Sequence, residues 1–156
     1  VAALKAFVEA GGTLVCIDGS AQLAIDALGL PVKNVVAGLP AEQFFCPGSI
    51  VRLDIDPSQP IGFGMLPQNA AFFSFSSAYD VTPGPDVRVV ARYGAKDILM
   101  SGWLEGEQAI AGRAAVGEAK AGLGRAVLIG FRAQHRAQTP ATYPFLFGAL
   151  YWSTAK

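Results

Sequence analysis

The chain has 156 residues, 52% hydrophobic and 15% charged, with 12 basic and 12 acidic side chains and a formal net charge of zero. That composition excludes a disordered segment. It supplies no pull toward nucleic acid or an anionic membrane, and no apolar run reaches the ~20 residues that span a bilayer.

The length suits one domain over residues 1–156, burying roughly two thirds of its unfolded surface. VAALKAFVEAGG sets Val1, Leu4, Phe7 and Val8 at helical spacing, and Gly11-Gly12 ends the helix. The stretch lacks the layout of a signal peptide. It begins inside an element without an initiator Met, so a fragment of a longer chain is expected. Thr13 to Ile17 is a short apolar run, as in a strand covered on both faces. Asp18, Gly19 and Ser20 break it. Leu23, Ala24, Ala27 and Leu28 mark a second helix, which Gly29 ends and Pro31 keeps from resuming. Residues 1–30 therefore read as helix, strand, helix, the repeat of an α/β sheet.

The middle, about residues 48–119, changes character. GSIVRLDID, residues 48–56, alternates, with Val51, Leu53 and Ile55 on one face and Arg52, Asp54 and Asp56 on the other. AFFSFSS, residues 71–77, predicts a strand with Phe73 and Phe75 on one side. DVRVVARYG (86–94) and ILMSGW (98–103) predict a strand pair, and AIAGRAAVGEA (109–119) a weaker strand. The section is rich in Gly and Pro and reads as an antiparallel β-rich insertion or extension. Its aromatics, Phe44, Phe45, Phe72, Phe73, Phe75 and Trp103, suit either core or a patch facing a neighbour, as do Tyr151 and Trp152. The end of the chain returns to the first pattern. AGLG (121–124) is a hairpin turn and RAVLIGF (125–131) a buried strand. RAQHRAQTP is a polar loop. Tyr143, Leu146, Phe147 and Leu150 mark a last helix with Pro144 in its first turn.

Much chemistry is absent. The chain has one histidine and two cysteines, without CxxC, HxxE or HExxH spacing, so a His-based zinc site is not expected within it. Asp54 and Asp56 fit strand alternation better than a calcium loop. No phosphate loop or GxSxG elbow occurs, and GLGRAV is a turn rather than a dinucleotide fingerprint. Cys16 in a strand and Cys46 before Pro47 read as free buried thiols.

GGTLVCIDGSAQLAIDALGLPV and GLGRAVLIGFRAQHRAQTPATYPFLFGALYW resemble the class I glutamine amidotransferase-like domain. With FFCPGSIVRLDID, ARYGAKDILMSGWLEGE and IAGRAAV, they resemble the version that follows the catalytic domain of some bacterial zinc carboxypeptidases. The resemblance implies an α/β fold, a partial flavodoxin-like sandwich whose first strands lie upstream of Val1. It implies a non-catalytic C-terminal accessory domain that supports or positions a peptidase domain or its peptide substrate. Zinc is then expected only in the parent's catalytic domain, with no cofactor in this fragment and no nucleic-acid or membrane partner. Homo-oligomerisation of the isolated piece stays open, and family habit points to secretion or a periplasmic home.

Active amidotransferases of this type run strand, G-x-C-x-G elbow, helix, often with a Gln after the elbow. Aligned on Gln22-Leu23, that pattern puts Asp18 at the nucleophile position and Cys16 two residues early, inside the strand. Their F-H-P-E base motif falls on Phe131-Arg132-Ala133-Gln134. Arg132 then holds the histidine position and Gln134 the carboxylate position. A carboxylate beside a guanidinium forms a salt bridge instead of a nucleophile–base pair. Asp18 and Arg132 are accordingly expected to meet across adjacent strand ends. Asp18 equally suits a helix N-cap, and the two roles can coexist.

Asp18, Ser20, Arg132, His135 and Arg136 are the candidate ligand-binding residues, because ligands of open α/β sheets bind beyond the strands' carboxyl ends. The competing reading has the arginines capping the sheet and His135 exposed. The enzymatic alternative uses Asp18 with His135 as acid/base, although Arg132 nearby would favour an ionised Asp18. A small-ligand sensor using the same crevice is a third reading.

Overall fold

The computed structural model describes residues 1–155. The elements are α1 (Ala2–Glu9), β1 (Thr13–Ile17), α2 (Ser20–Leu28), β2 (Val32–Asn34), β3 (Ser49–Ile55), β4 (Gln68–Phe73), β5 (Tyr79–Val81), β6 (Val87–Tyr93), β7 (Leu99–Ser101), β8 (Ala114–Ala121), β9 (Gly124–Ile129) and α3 (Tyr143–Thr154). The nine strands form one sheet with the path β1-β9-β8-β6-β3-β4; β2 joins through β5, β5 through β8, and β7 through β3. β1 and β9 run parallel, in register from Thr13↔Arg125 to Ile17↔Ile129. Every other pairing in the sheet is antiparallel. The architecture is α/β with a large open sheet. The β-rich middle supplies most of that sheet's strands.

Strand alternation divides the core between the two faces. On β9, Ala126 and Leu128 join Cys16 of β1 and Ala21, Ala24 and Ile25 of α2. Val127 and Ile129 turn the other way, to Phe145 and Ala149 of α3 and to Leu53, Phe73 and Tyr93. The β8–β9 hairpin turns through Gly122, φ +59°, with Ala121 opposite Gly124. A Cβ at Gly124 would collide with the carbonyls of Val8 and Gly12, so α1 can approach the hairpin only because that position is bare. Gly29, φ +60°, caps α2 in the left-handed conformation.

Several expectations need correction. The strand expected over 71–77 is β4, which ends at Phe73. Phe73 is fully buried, whereas Phe75 turns outward at φ +50° and is 71% exposed. Serines take the chain out of the ladder there: Ser74 Oγ donates to Pro47 O, and Ser74 N–H donates to Ser76 Oγ. β6 and β7 do not pair with each other. Both run antiparallel to β3, β6 against Leu53–Ile55 and β7 against Ile50 and Val51. The chain keeps its direction, so residues 94–98 loop out without reversing it. The strand expected over 109–119 begins at Ala114, after a 3-10 turn at Glu107–Ala109.

Helix faces also shift. In α1, Val8 is buried while Val1, Leu4 and Phe7 are exposed. In α2, Ala21, Ala24 and Ile25 face inward and Leu23 is exposed. In α3, Phe145 and Ala149 face inward while Phe147 and Leu150 are exposed. Among the described residues, no helix is long and apolar enough to cross a membrane.

Candidate functional site

Parallel pairing of β1 with β9 brings their carboxyl ends to one edge. Asp18 follows β1, and its N–H donates to Ile129 O at 2.7 Å, extending the ladder by one step. Asp18 adopts φ +53°, in the left-handed region. Ser20 closes the turn: its Oγ accepts from Ile17 N–H at 2.8 Å and donates to Ile17 O at 2.7 Å. A sharp strand-to-helix turn with a left-handed residue at its apex is the geometry of a nucleophile elbow.

An aspartate, not a cysteine, occupies that apex. Arg132 Nε donates to Asp18 Oδ2 at 3.1 Å, the ion pair expected from the sequence. The Asp18 side chain is 22% and the Arg132 side chain 44% exposed. A pair this accessible contributes about 0.2–1 kcal/mol. The N-cap reading of Asp18 is corrected: Gly19 is the N-cap of α2, without a side-chain cap bond. Left-handed Asp18 stands one residue before the cap position, and its carboxylate engages Arg132 instead.

The remaining candidates diverge. Ser20 is committed to the turn. Gln134 is exposed and stands outside the ion pair. His135 is half-buried rather than exposed; its ring stacks on Phe72 of β4 with centroids 4.4 Å apart and planes at 24°. Arg136 is exposed in a left-handed turn at φ +51°. Asp18 and Arg132 are thus brought together, while His135 is drawn to a strand at the far end of the sheet path.

Beside the elbow lies an open cleft of about 520 Å3. Gly19 and Gln22 of the first turn of α2 line one side; Asn34, Phe75, Ser76 and Ser77 line another. Phe44, Phe45 and Cys46 complete much of the wall. Asn34 is pinned: its Nδ2 donates to Ser77 Oγ at 3.1 Å, and its Oδ1 accepts from Val36 N–H at 3.2 Å. Tyr93 donates its phenol proton to Ser77 O at 2.8 Å. The Tyr79 hydroxyl is buried without a hydrogen-bond partner among the described residues. Burial pushes the ionisation of both phenols above the ordinary range.

Neither cysteine is placed to react. Cys16 is 5% and Cys46 1% exposed. Burial pushes both thiols up, only partly offset for Cys46 by Ser49. A reactive cysteine needs the opposite, a lowered pKa and access. No group of three or more His, Cys, Asp or Glu side chains among the described residues could hold a metal ion. Asn34, Ser77 and Tyr79 were not legible as site residues, because β2 and β5 are three residues each and too short for a period.

No protein-family model matches the sequence, and no curated protein matches it. Solved structures do. A ThuA-like protein from Bacteroides uniformis ATCC 8492 superposes with TM-score 0.59 at 15% identity, over 99% of this chain and 63% of that one. A ThuA-like protein from Parabacteroides merdae ATCC 43184 gives TM-score 0.55 at 15% identity, over 98% and 64%. A β-galactosidase from Bacillus circulans sp. alkalophilus gives 0.58 at 13% identity, over 98% of this chain and 20% of that protein. The chain therefore spans less than two thirds of each of these proteins. At such identities the likeness is one of fold: the chain shares the α/β fold of ThuA-like proteins.

Proposed function

We propose that this chain is a non-catalytic domain of glutamine amidotransferase-like type. One observation carries the reading: at the elbow, where the resemblance places a cysteine and its histidine, Asp18 and Arg132 form an ion pair at 3.1 Å. Acyl transfer needs a nucleophile activated by a base. An aspartate paired with a guanidinium is not a thiol paired with an imidazole, and neither native thiol is accessible. The finer assignments rest on the sequence resemblance: a flavodoxin-like parent sandwich, and a position C-terminal to a zinc carboxypeptidase-like catalytic domain. There the domain supports or positions the peptidase or its peptide substrate, and zinc belongs to that upstream domain.

Two measurements test this. Incubation with an electrophilic glutamine analogue, followed by intact-mass spectrometry, leaves the mass unchanged; an adduct on Asp18 overturns the non-catalytic reading. Removal of the segment from the full-length protein lowers the stability or the zinc-dependent peptidase activity of the remainder; no change in either overturns the accessory role.

The cleft of about 520 Å3 favours a second reading, small-ligand binding. The hydrolase alternative is weaker, because His135, its acid/base, lies against Phe72.

A further inference from the structure

α3 carries no charged side chain and is apolar almost all round. A helix of that kind belongs in an interior. Here only one side of it is covered. Phe145 and Ala149 face the core, while Phe147 is 54% and Tyr151 78% exposed.

The 3-10 turn Pro60–Gly62 runs beside α3 and leads into Phe63, which is 81% exposed. A Cβ at Gly148 would meet Ile61 O at 2.7 Å, so helix and turn lie in direct backbone contact. Above that contact opens a groove of about 680 Å3. Pro60 and Phe63 form one wall; Pro144, Phe147, Tyr151 and Trp152 form the other. None of the lining side chains carries a formal charge. A charged partner would therefore lose water there without gaining a counter-ion. The far wall is set in advance: Trp152 Nε1 donates to Glu118 Oε2 at 2.7 Å, and Arg125 lies over the ring.

Area and shape select the occupant. A whole aromatic side chain offers about 200 Å2, so the three exposed rings leave roughly 400 Å2 open. Ser58, Pro60 and Pro144 are exposed beside them. With these the patch reaches the top of the range of about 300–600 Å2 usual for the largest patch on a monomer. Two such patches bury about 1,000 Å2 together, the threshold of a specific interface. The surface also complements itself, because the protruding Phe63 ring stands beside an aromatic groove. A two-fold axis sets Phe63 of each copy into the groove of the other. Such an isologous contact closes at two copies, and uncharged walls bring no like charges face to face.

We propose that the chain self-associates as a two-fold dimer through α3 and the turn at Pro60–Phe63. The dimer goes beyond the accessory role and does not depend on it. An interface of about 1,000 Å2 is at the weak end, with dissociation on the order of 10 μM. Dilute protein therefore unfolds as the monomer.

Sedimentation equilibrium from the low micromolar to the near-millimolar range tests it. The mass rises from one chain to two and stops there. Phe63→Asp puts a charge into the partner groove and weakens the dimer at least about tenfold. Near-UV circular dichroism shows its fold intact, because an 81% exposed ring supports no core. Tyr151→Asp weakens the dimer as well and covers the case in which Phe63→Asp unfolds. Leu23→Asp, on the α2 side of the sheet, leaves the dimer unchanged. A mass of one chain at every concentration overturns the proposal and leaves the face to a neighbouring domain. Growth past two chains, a dimer untouched by the folded groove variants, or one broken by Leu23→Asp overturns it too.

Discussion

Asp18 combines two properties that pull on stability separately: a left-handed backbone and an ion pair with Arg132. The first costs an ordinary L-residue about 1–2 kcal/mol, and Asp tolerates it better than most. The second is worth about 0.2–1 kcal/mol at this exposure. Asp18→Gly loses only the pair, while Asp18→Ala also meets the backbone cost. Urea unfolding should therefore place the alanine variant about 1 kcal/mol below the glycine variant. Equal values for the two would show that the turn is not strained. Asp18→Cys tests the elbow differently. Its new thiol should alkylate quickly in the native protein while Cys16 and Cys46 lag, counted by intact mass. Native Cys16 or Cys46 reacting as fast as the new thiol would contradict their burial. The Asp18–Arg132 contact was legible because two apolar runs, Thr13–Ile17 and RAVLIGF, place both residues just past buried strands. The N-cap role was not excluded by sequence, since a dihedral angle decides it.

α3 shows why elements can be found without their orientation. YPFLFGALYW is apolar almost all round, so many stripes fit helical spacing. Its rotation is fixed from elsewhere. Trp152 Nε1 donates to Glu118 Oε2 at 2.7 Å, and Arg125 sits over the Trp152 ring, 4.7 Å from its centroid. Glu118 is itself held by Arg88 at 3.1 Å and Arg125 at 3.6 Å. Phe145 consequently faces the core and packs edge to face on Phe131 at 5.9 Å. Phe145→Ala should cost about 3–5 kcal/mol. Phe147→Ala, at an exposed position, should stay within about 0.5 kcal/mol. Thermal or urea unfolding of the pair checks the assignment, and similar losses for both would mean that the helix is turned the other way. β3 is the opposite case. Its burial alternates strictly from Ser49 to Ile55, as the pattern Val51, Leu53, Ile55 predicts.

At the scale of the molecule, the sheet has a helix-covered core on each face, and a tyrosine is buried in each core, Tyr93 in one and Tyr79 in the other. Burial raises the ionisation of Tyr79 and Tyr93, so the folded state binds their protons more tightly than the unfolded chain does. The sign follows by linkage: this contribution is fully present below the unfolded phenol value of about 10 and is lost as pH rises past it. Alkaline titration should therefore show their phenolate absorbance rising together with the loss of near-UV circular dichroism. Full phenolate absorbance with native dichroism intact would disprove it.

The sequence by itself determined the local pieces: β1 with its turn into α2, the alternation of β3, the β8–β9 hairpin, and the placing of Asp18 and Arg132 just past buried strands. Periodicity and turn chemistry act within a few residues, so these can be read along the chain. Tertiary structure alone decided that β7 lies on β3 rather than β6, that Phe75 faces outward, that α3 presents Phe145, and that Asn34 and Ser77 share a cleft with α2. A period fixes which face of an element is apolar but not what covers it. That choice belongs to contacts between residues far apart in the chain.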